Sequence, residues 1–260
     1  SLHDALPIFN IAPRFGKSEL TSYLFPAWFL GHKPDAKIIM ATHTQSLSED
    51  FGRRIRNLIM DPDYTKVFPE TSLAHDSKGA GSWNTKQGGK YYAVGVGGAL
   101  AGRGADLLII DDPHSEQDIK TGTRLPFDMA WSWYQTGPRQ RLMWGGAIVL
   151  VMTRWSTFDL CARMLDYAAK NPDADQWEVI EFPALLPSGK SLWPEKWSAE
   201  ALNKTKASLD PKYWTAQYMQ QPSSDEAAII ARSDWRYWLK DKPPSCSYII
   251  MCLDAAAETT

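Results

Sequence analysis

The feature that most constrains the fold is a run of four apolar residues, 107–110, directly followed by two aspartates. Because no polar residue interrupts the run, a strand built from it must be covered on both faces, as in a parallel sheet between helical layers. Further short apolar runs separated by helical spacing predict an α/β fold with an open, mostly parallel sheet flanked by helices. Residues 82–95 predict an antiparallel hairpin insert. The predicted parallel strands are residues 7–12, 37–41, 106–110, 147–152 and 178–182.

The stretch NIAPRFGKSEL follows the first predicted strand and resembles a phosphate-binding loop, whose signature ends in Gly-Lys-Ser or Gly-Lys-Thr. In such a loop Gly16 lets the backbone approach the phosphates, Lys17 reaches the β- and γ-phosphates, and the Ser18 hydroxyl ligates Mg²⁺. Ile11 stands where the signature has its first glycine, and Arg14 lies inside the loop. The alternative is a helix start that reads Gly-Lys-Ser by chance.

An acidic pair, Asp111 and Asp112, ends the apolar strand. A magnesium-nucleotide site needs one carboxylate for the metal and a second one to orient and deprotonate the attacking water. Asp111 suits the first role and Asp112 the second. The alternative is a strand-end pair that serves a turn before Pro113, but the order of loop and acidic pair favours the nucleotide site.

The strand predicted over residues 147–152 is also followed by polar residues, Thr153 and Arg154. The carboxyl ends of parallel strands face the ligand crevice. Thr153 could therefore sense the γ-phosphate and couple hydrolysis to movement, or it could simply cap the next helix.

Four segments, APRFGKSE, GRGADLLIIDDP, MTRW and YWTAQYMQQP, together resemble the large terminase subunit of tailed bacteriophages, in the family's order and over residues 8–254. The resemblance implies a P-loop ATPase domain followed by a ribonuclease-H-like nuclease domain. The whole would be a motor that hydrolyses ATP to move viral double-stranded DNA into a procapsid. The family's loop often lacks the first glycine and carries an arginine. Pro13, Arg14, Phe15, Gly16, Lys17 and Ser18 are then the nucleotide loop, with Arg14 at the γ-phosphate.

Two further residues receive roles only from this resemblance. Most family members have a glutamate where Asp112 stands, so Glu116 is an alternative catalytic carboxylate. Arg103 resembles an arginine that many members insert into the neighbouring subunit's active site. An ordinary surface arginine in a glycine-rich loop is the alternative.

The resemblance also implies a domain organisation: the ATPase domain at 1–222, a linker at 223–246, and the start of the nuclease domain at 247–260. Asp254 ends the first nuclease strand and would bind Mg²⁺ or Mn²⁺. The other acidic ligands should lie beyond Thr260, so we expect this chain not to cut DNA. The family's adenine-binding segment normally precedes the loop and is not recognisable here, so we expect a fragment at both ends.

The partners implied by the resemblance are double-stranded DNA, the portal protein, the small terminase subunit and further copies of the chain in a homo-oligomeric ring. The implied location is the cytoplasm of a bacterial host, with no membrane as a partner.

The net charge of −2 gives no global basic field, so DNA contact requires a local patch. Arg53, Arg54 and Arg56 form a basic cluster that is either such a patch or a solvated helix face. Several tryptophans predict packing of the core against the following helices, or else DNA stacking. A helicase-like translocase and an inactive prophage remnant remain alternative functions.

Overall fold

The computed structural model describes residues 6–77 and 79–223, and its strands form one seven-stranded sheet in the order β3-β4-β2-β5-β6-β1-β7. Within the described residues, all paired strands run parallel except β3 and β4, which are antiparallel. The predicted α/β fold and the predicted hairpin are therefore confirmed. The strands are β1 Leu6–Ile11, β2 Lys37–Thr42, β3 Ser82–Asn84, β4 Lys90–Gly95, β5 Ala105–Asp111, β6 Leu142–Met152 and β7 Trp177–Phe182.

Helices cover both faces of this sheet. A π-helical segment, Glu19–Leu24, follows β1 and continues directly into α1, Phe25–His32. The remaining α-helices are α2 Gln45–Ile59, α3 Pro62–Val67, α4 Glu116–Lys120, α5 Leu125–Thr136, α6 Leu160–Lys170, α7 Ala199–Ala207 and α8 Pro211–Tyr213. A 3₁₀ turn spans Pro138–Arg141, and a second π-helical turn spans Trp214–Tyr218.

The apolar run of β5 lies between two hydrophobic cores, one on each face of the sheet. Leu107 and Ile109 belong to the core formed with α1 and α2, whereas Leu108 and Ile110 belong to the core formed with α5 and α6. All four side chains are at most 1% exposed. The absence of polar alternation in the run is thus explained by burial on both faces.

The start of β6 was predicted wrongly, because the strand begins at Leu142 rather than at residue 147. Its first half contains Gly145 with a φ of +72°, and the pairing with β5 shifts register between Ala105 and Leu107. This irregular part is mostly exposed, so it lacks the apolar pattern that identified the second half.

A third apolar cluster packs the C-terminal described segment against the residues that follow β1. It contains Ala12 and Phe15 from the loop, together with Ala184, Leu202 and Trp214. Trp214 is 4% exposed, as the packing interpretation of the tryptophans predicts. The loop after β1 therefore rests on residues that lie about 170 to 200 positions later in the chain.

A buried ion pair between Arg154 and Asp159 fixes the path of the chain from β6 into α6. Nε of Arg154 donates to Oδ2 of Asp159 at 2.9 Å and to Oδ1 at 3.2 Å. The two residues are 7% and 0% exposed. Asp159 also caps α6 by accepting a hydrogen bond from the backbone N of Ala162. One carboxylate therefore neutralises a buried cation and starts a helix.

Asp159→Ala is expected to lower the free energy of unfolding by about 3–5 kcal/mol, because the Arg154 guanidinium would stay buried without its carboxylate. Asp166→Ala is the matched control. Asp166 pairs with Lys170 at 3.0 Å on the surface, and its loss should cost less than about 1 kcal/mol. Urea unfolding monitored by circular dichroism measures both variants. Equal losses would contradict the assignment of a stabilising role to the buried pair.

Residues 224–260 lie outside the described residues. They contain Asp254, the predicted nuclease strand and nearly all of the predicted linker, so these predictions and the domain bounds stay predictions. Over residues 6–77 and 79–223, no helix is both long and apolar enough to cross a membrane.

Candidate active site

The loop after β1 makes a sharp turn before the next helical segment begins. Gly16 has a φ of +82° and Arg14 a φ of +65°, so two residues of the loop adopt the left-handed conformation. For Arg14, which has a β-carbon, this conformation costs on the order of 1 kcal/mol. Leu20 N then donates to the Gly16 carbonyl at 3.1 Å, which starts the following helical segment. This strand–turn–helix geometry is that of phosphate-binding loops.

Lys17 meets the acidic pair directly. Its Nζ lies 2.6 Å from Oδ2 of Asp112, and Lys17 is only 8% exposed. Asp112 itself has a φ of +42°, and its backbone N donates to the Val151 carbonyl at 2.9 Å. Oδ1 of the same carboxylate accepts a hydrogen bond from the backbone N of Thr153 at 2.8 Å. Asp112 thus connects the loop after β1 with the end of β6.

Asp111 is buried beside this pair, at 1% exposure. Its Oδ2 accepts a hydrogen bond from the Ser22 hydroxyl at 2.7 Å, while its buried Oδ1 has no hydrogen-bond partner among the described residues. Burial, above all, raises the pKa of Asp111 to about 6, and the negative charge of Asp112 acts in the same direction. Lys17 and the hydroxyls of Ser22 and Ser18 oppose this shift.

The oxygens of Asp111 and Ser18 fit a magnesium ion. Mg²⁺ prefers oxygen ligands and usually binds one or two protein groups while keeping water or phosphate ligands. The unpartnered Oδ1 of Asp111 and the nearby hydroxyl of Ser18 offer such a donor set. Ser22 was missed by the sequence analysis, although its position four residues after Ser18 places it on the same side of the following helix.

Thr153 is 2% exposed and holds the end of β6 against the end of β1. Its hydroxyl donates to the Ile11 carbonyl at 3.1 Å. The interpretation that Thr153 caps the next helix is wrong, because Asp159 is the N-cap of α6. Thr153 therefore contacts both the last residue of β1 and the carboxylate of Asp112.

Comparison with known protein families identifies the family of this chain. The family described as terminase large subunit, T4likevirus-type, N-terminal, matches residues 8–236. That match covers most of the 260 residues. The chain belongs to the terminase large subunit family. No curated protein sequence matches the chain.

Two solved terminase structures share the fold. The HK97 bacteriophage large terminase is similar with a TM-score of 0.50 and 14% identity, over 84% of this chain and 47% of that one. A variant of the ATPase domain of the large terminase of Thermus phage P74-26 is similar with a TM-score of 0.54 and 13% identity, over 84% of this chain and 88% of that domain. The chain thus spans about half the length of the HK97 large terminase.

The loop of this terminase chain presents Arg14 on its outer surface. The Arg14 side chain is exposed and makes no hydrogen bond or ion pair with residues in the described part of the chain. Its carbonyl accepts a hydrogen bond from the indole Nε1 of Trp197 at 3.4 Å. Phe15 stacks on the same indole with ring centroids 6.3 Å apart, and Pro13 is half-buried. Trp197 therefore supports the loop from outside, a contact that the sequence analysis missed.

Arg103 and Glu116 make no hydrogen bond or ion pair with Lys17, Asp111 or Asp112. Arg103 precedes the amino end of β5, and its guanidinium stacks on the Tyr92 ring at 3.3 Å. Tyr92 belongs to β4, so the guanidinium is held beside a strand that is not a direct neighbour of β5 in the sheet. Glu116 is exposed in the first turn of α4.

The basic cluster on α2 is mostly engaged in local contacts. Arg54 donates to both carboxylate oxygens of Glu19 at 2.7 Å, and Arg53 pairs with Asp50 at 2.7 Å. Arg56 donates to the Gly79 carbonyl at 2.9 Å. These contacts favour the interpretation of a solvated helix face over that of a DNA-binding patch.

Proposed function

We propose that this chain is the ATP-hydrolysing motor portion of a terminase large subunit, which moves viral double-stranded DNA into a procapsid. The observation that carries the proposal is the 2.6 Å contact between Lys17 of the phosphate-binding loop and Asp112 of the acidic pair. A loop lysine and a strand-end carboxylate that meet at the carboxyl edge of a parallel sheet are the core of a nucleotide-hydrolysing site.

Binding rests on charge neutralisation by the loop. Lys17 and Arg14 supply positive charge to the β- and γ-phosphates, and the turn at Gly16 brings backbone N–H groups within reach. Asp111 and Ser18 would hold Mg²⁺. The ion, when bound, neutralises the charge that develops on the transferred phosphoryl group.

Hydrolysis requires Asp112 to be released from Lys17. The incoming phosphates draw the Lys17 ammonium toward themselves, which frees Oδ2 of Asp112 to accept a proton. The water oxygen then forms a bond to the γ-phosphorus, the bond from that phosphorus to the β–γ bridging oxygen breaks, and the water proton passes to the Asp112 carboxylate. The backbone N of Thr153 keeps the carboxylate oriented through Oδ1. Glu116 is the alternative proton acceptor.

Coupling to movement would start at Thr153, which contacts Asp112 and β1. Its neighbour Arg154 donates its backbone N–H to Oε1 of Gln220 at 3.1 Å, and Gln220 is 1% exposed. A shift of Asp112 after hydrolysis would therefore pull on the C-terminal segment through two hydrogen bonds. Arg103, held on Tyr92 of β4, would serve the next subunit of a homo-oligomeric ring.

The remaining parts of the proposal follow from the family. The partners are the portal protein, the small terminase subunit and double-stranded DNA, in the cytoplasm of a bacterial host. In the full-length protein, Asp254 would contribute to a Mg²⁺ or Mn²⁺ site for DNA cleavage, which needs further acidic ligands.

The proposal is tested by steady-state phosphate release from Mg-ATP, measured with duplex DNA, with single-stranded DNA and without DNA. We expect duplex DNA to stimulate release and a forked duplex to stay paired during hydrolysis. Strand separation of the fork would favour a helicase-like translocase instead. A folded chain that neither binds Mg-ATP nor releases phosphate under all three conditions would favour an inactive remnant.

A further inference from the structure

Trp193, in the segment between β7 and α7, lies directly against the phosphate-binding loop. Its Cζ3 atom is 3.6 Å from the position that a β-carbon on Gly16 would occupy, and apart from Phe15 and Lys17, the chain neighbours, no other group of residues 6–77 and 79–223 lies within 4 Å of that position. The indole is nevertheless 38% exposed. Lys196 places its Nζ over the ring at 4.8 Å from the centroid, so one face of the indole contacts a cation.

The backbone around Trp193 is held in a fixed turn. Trp193 N donates to the Ser191 hydroxyl at 3.1 Å, and Ser191 is 5% exposed. The Trp193 carbonyl accepts from Lys196 N at 3.2 Å and from Trp197 N at 2.9 Å. Trp197 is in turn bound to the Arg14 carbonyl. The backbone that carries the indole is therefore held by the same turn that supports the loop.

Sheet topology places Trp193 on a defined side of the loop. The strand β1 lies between β6 and β7, so Asp112 and Thr153 are on one flank of the loop and the segment that follows β7 is on the other. In the proposed hydrolysis the γ-phosphate faces Asp112. The nucleoside end of the same molecule then points away from Asp112, toward the flank that carries Trp193.

We propose that Trp193 stacks on the base of the bound nucleotide and forms one wall of the base site. This inference rests on the proposed ATPase function and adds a base-contacting residue to it. A flat, half-exposed indole offers a face of the size of a purine, and aromatic–base stacking tolerates any base because every base has a π face. The site recognises the nucleotide through two chemistries, charge at the loop and stacking at Trp193.

The test is isothermal titration calorimetry of the full chain with Mg-ATP and with inorganic tripolyphosphate, which has the phosphates but neither ribose nor base. Trp193→Ala is expected to weaken Mg-ATP binding by about 5- to 100-fold, the range for removal of one aromatic–base stack. Binding of tripolyphosphate should not change. Trp193→Phe should retain most of the Mg-ATP affinity because a stacking face remains.

Trp144→Ala is the matched control, since Trp144 is fully exposed near the amino end of β6, away from the loop. It should leave both affinities unchanged. Equal Mg-ATP affinity of Trp193→Ala and wild type would overturn the base-stacking role and leave the proposed function intact. Equal weakening of both ligands by Trp193→Ala would also overturn it, because the indole would then only support the loop. A folded wild-type chain that binds neither ligand would overturn this inference together with the ATPase function.

Discussion

Lys17→Ala is expected to reduce ATP hydrolysis to background and to weaken Mg-ATP binding by at least about 100-fold. Lys17 is 8% exposed and is the buried cation that contacts the acidic pair. Its removal deprives the phosphates of a charge-assisted contact in a poorly solvated position, where such contacts are strongest. Phosphate release and calorimetric titration with Mg-ATP measure the two effects.

The control for this prediction is Lys66→Ala. Lys66 pairs with Asp63 on the exposed surface of α3, with both side chains largely solvated. Its loss should change neither hydrolysis nor affinity. If Lys17→Ala bound Mg-ATP as tightly as the Lys66→Ala control, the loop after β1 would not be a phosphate-binding site.

Asp112→Asn is expected to keep Mg-ATP binding and to lower the turnover number by about 100- to 10,000-fold, the usual contribution of a general base. The asparagine oxygen can still accept the hydrogen bond from Thr153 N, but the amide cannot take a proton from water. Because Lys17 would no longer pair with a carboxylate, its ammonium is freer to meet the phosphates. Mg-ATP affinity should therefore stay equal or increase, a result that general misfolding would not produce.

The companion variant is Glu116→Gln, which makes the same chemical change at the alternative carboxylate. It should leave turnover unchanged, because Glu116 is exposed in the first turn of α4. Single-turnover phosphate release separates chemistry from product release in both variants. Normal turnover in Asp112→Asn, with loss of turnover in Glu116→Gln, would transfer the base role to Glu116.

The sheet and the two halves of the site could be predicted from the sequence because each is encoded by a short local pattern. The apolar run of β5 followed by Asp111 and Asp112 indicates both a buried strand and its polar end. Likewise, Gly16 and Lys17 between a strand and a helix indicate the loop. Local patterns do not predict the start of β6, because Gly145 and a register shift interrupt the regular strand there.

The contacts between these patterns could not be predicted, since they depend on tertiary geometry. The left-handed conformation of Asp112 directs its carboxylate to both Lys17 and Thr153, and no sequence signal marks that conformation in an aspartate followed by proline. The approach of Trp193 and Trp197 to the loop brings together residues separated by more than 170 positions. The pairing of α2 arginines with acidic residues likewise required the structure.

The central claim is that the loop after β1 binds nucleotide phosphates together with Mg²⁺, and fluorescence anisotropy of a fluorescent ATP analogue with the 260-residue chain tests it most directly. We expect saturable binding that unlabelled ATP competes away and that chelation of Mg²⁺ weakens. Binding is preferable to turnover here, because turnover could require Arg103 from a neighbouring subunit. A chain that is folded by circular dichroism and shows no saturable, ATP-competed binding would contradict the account.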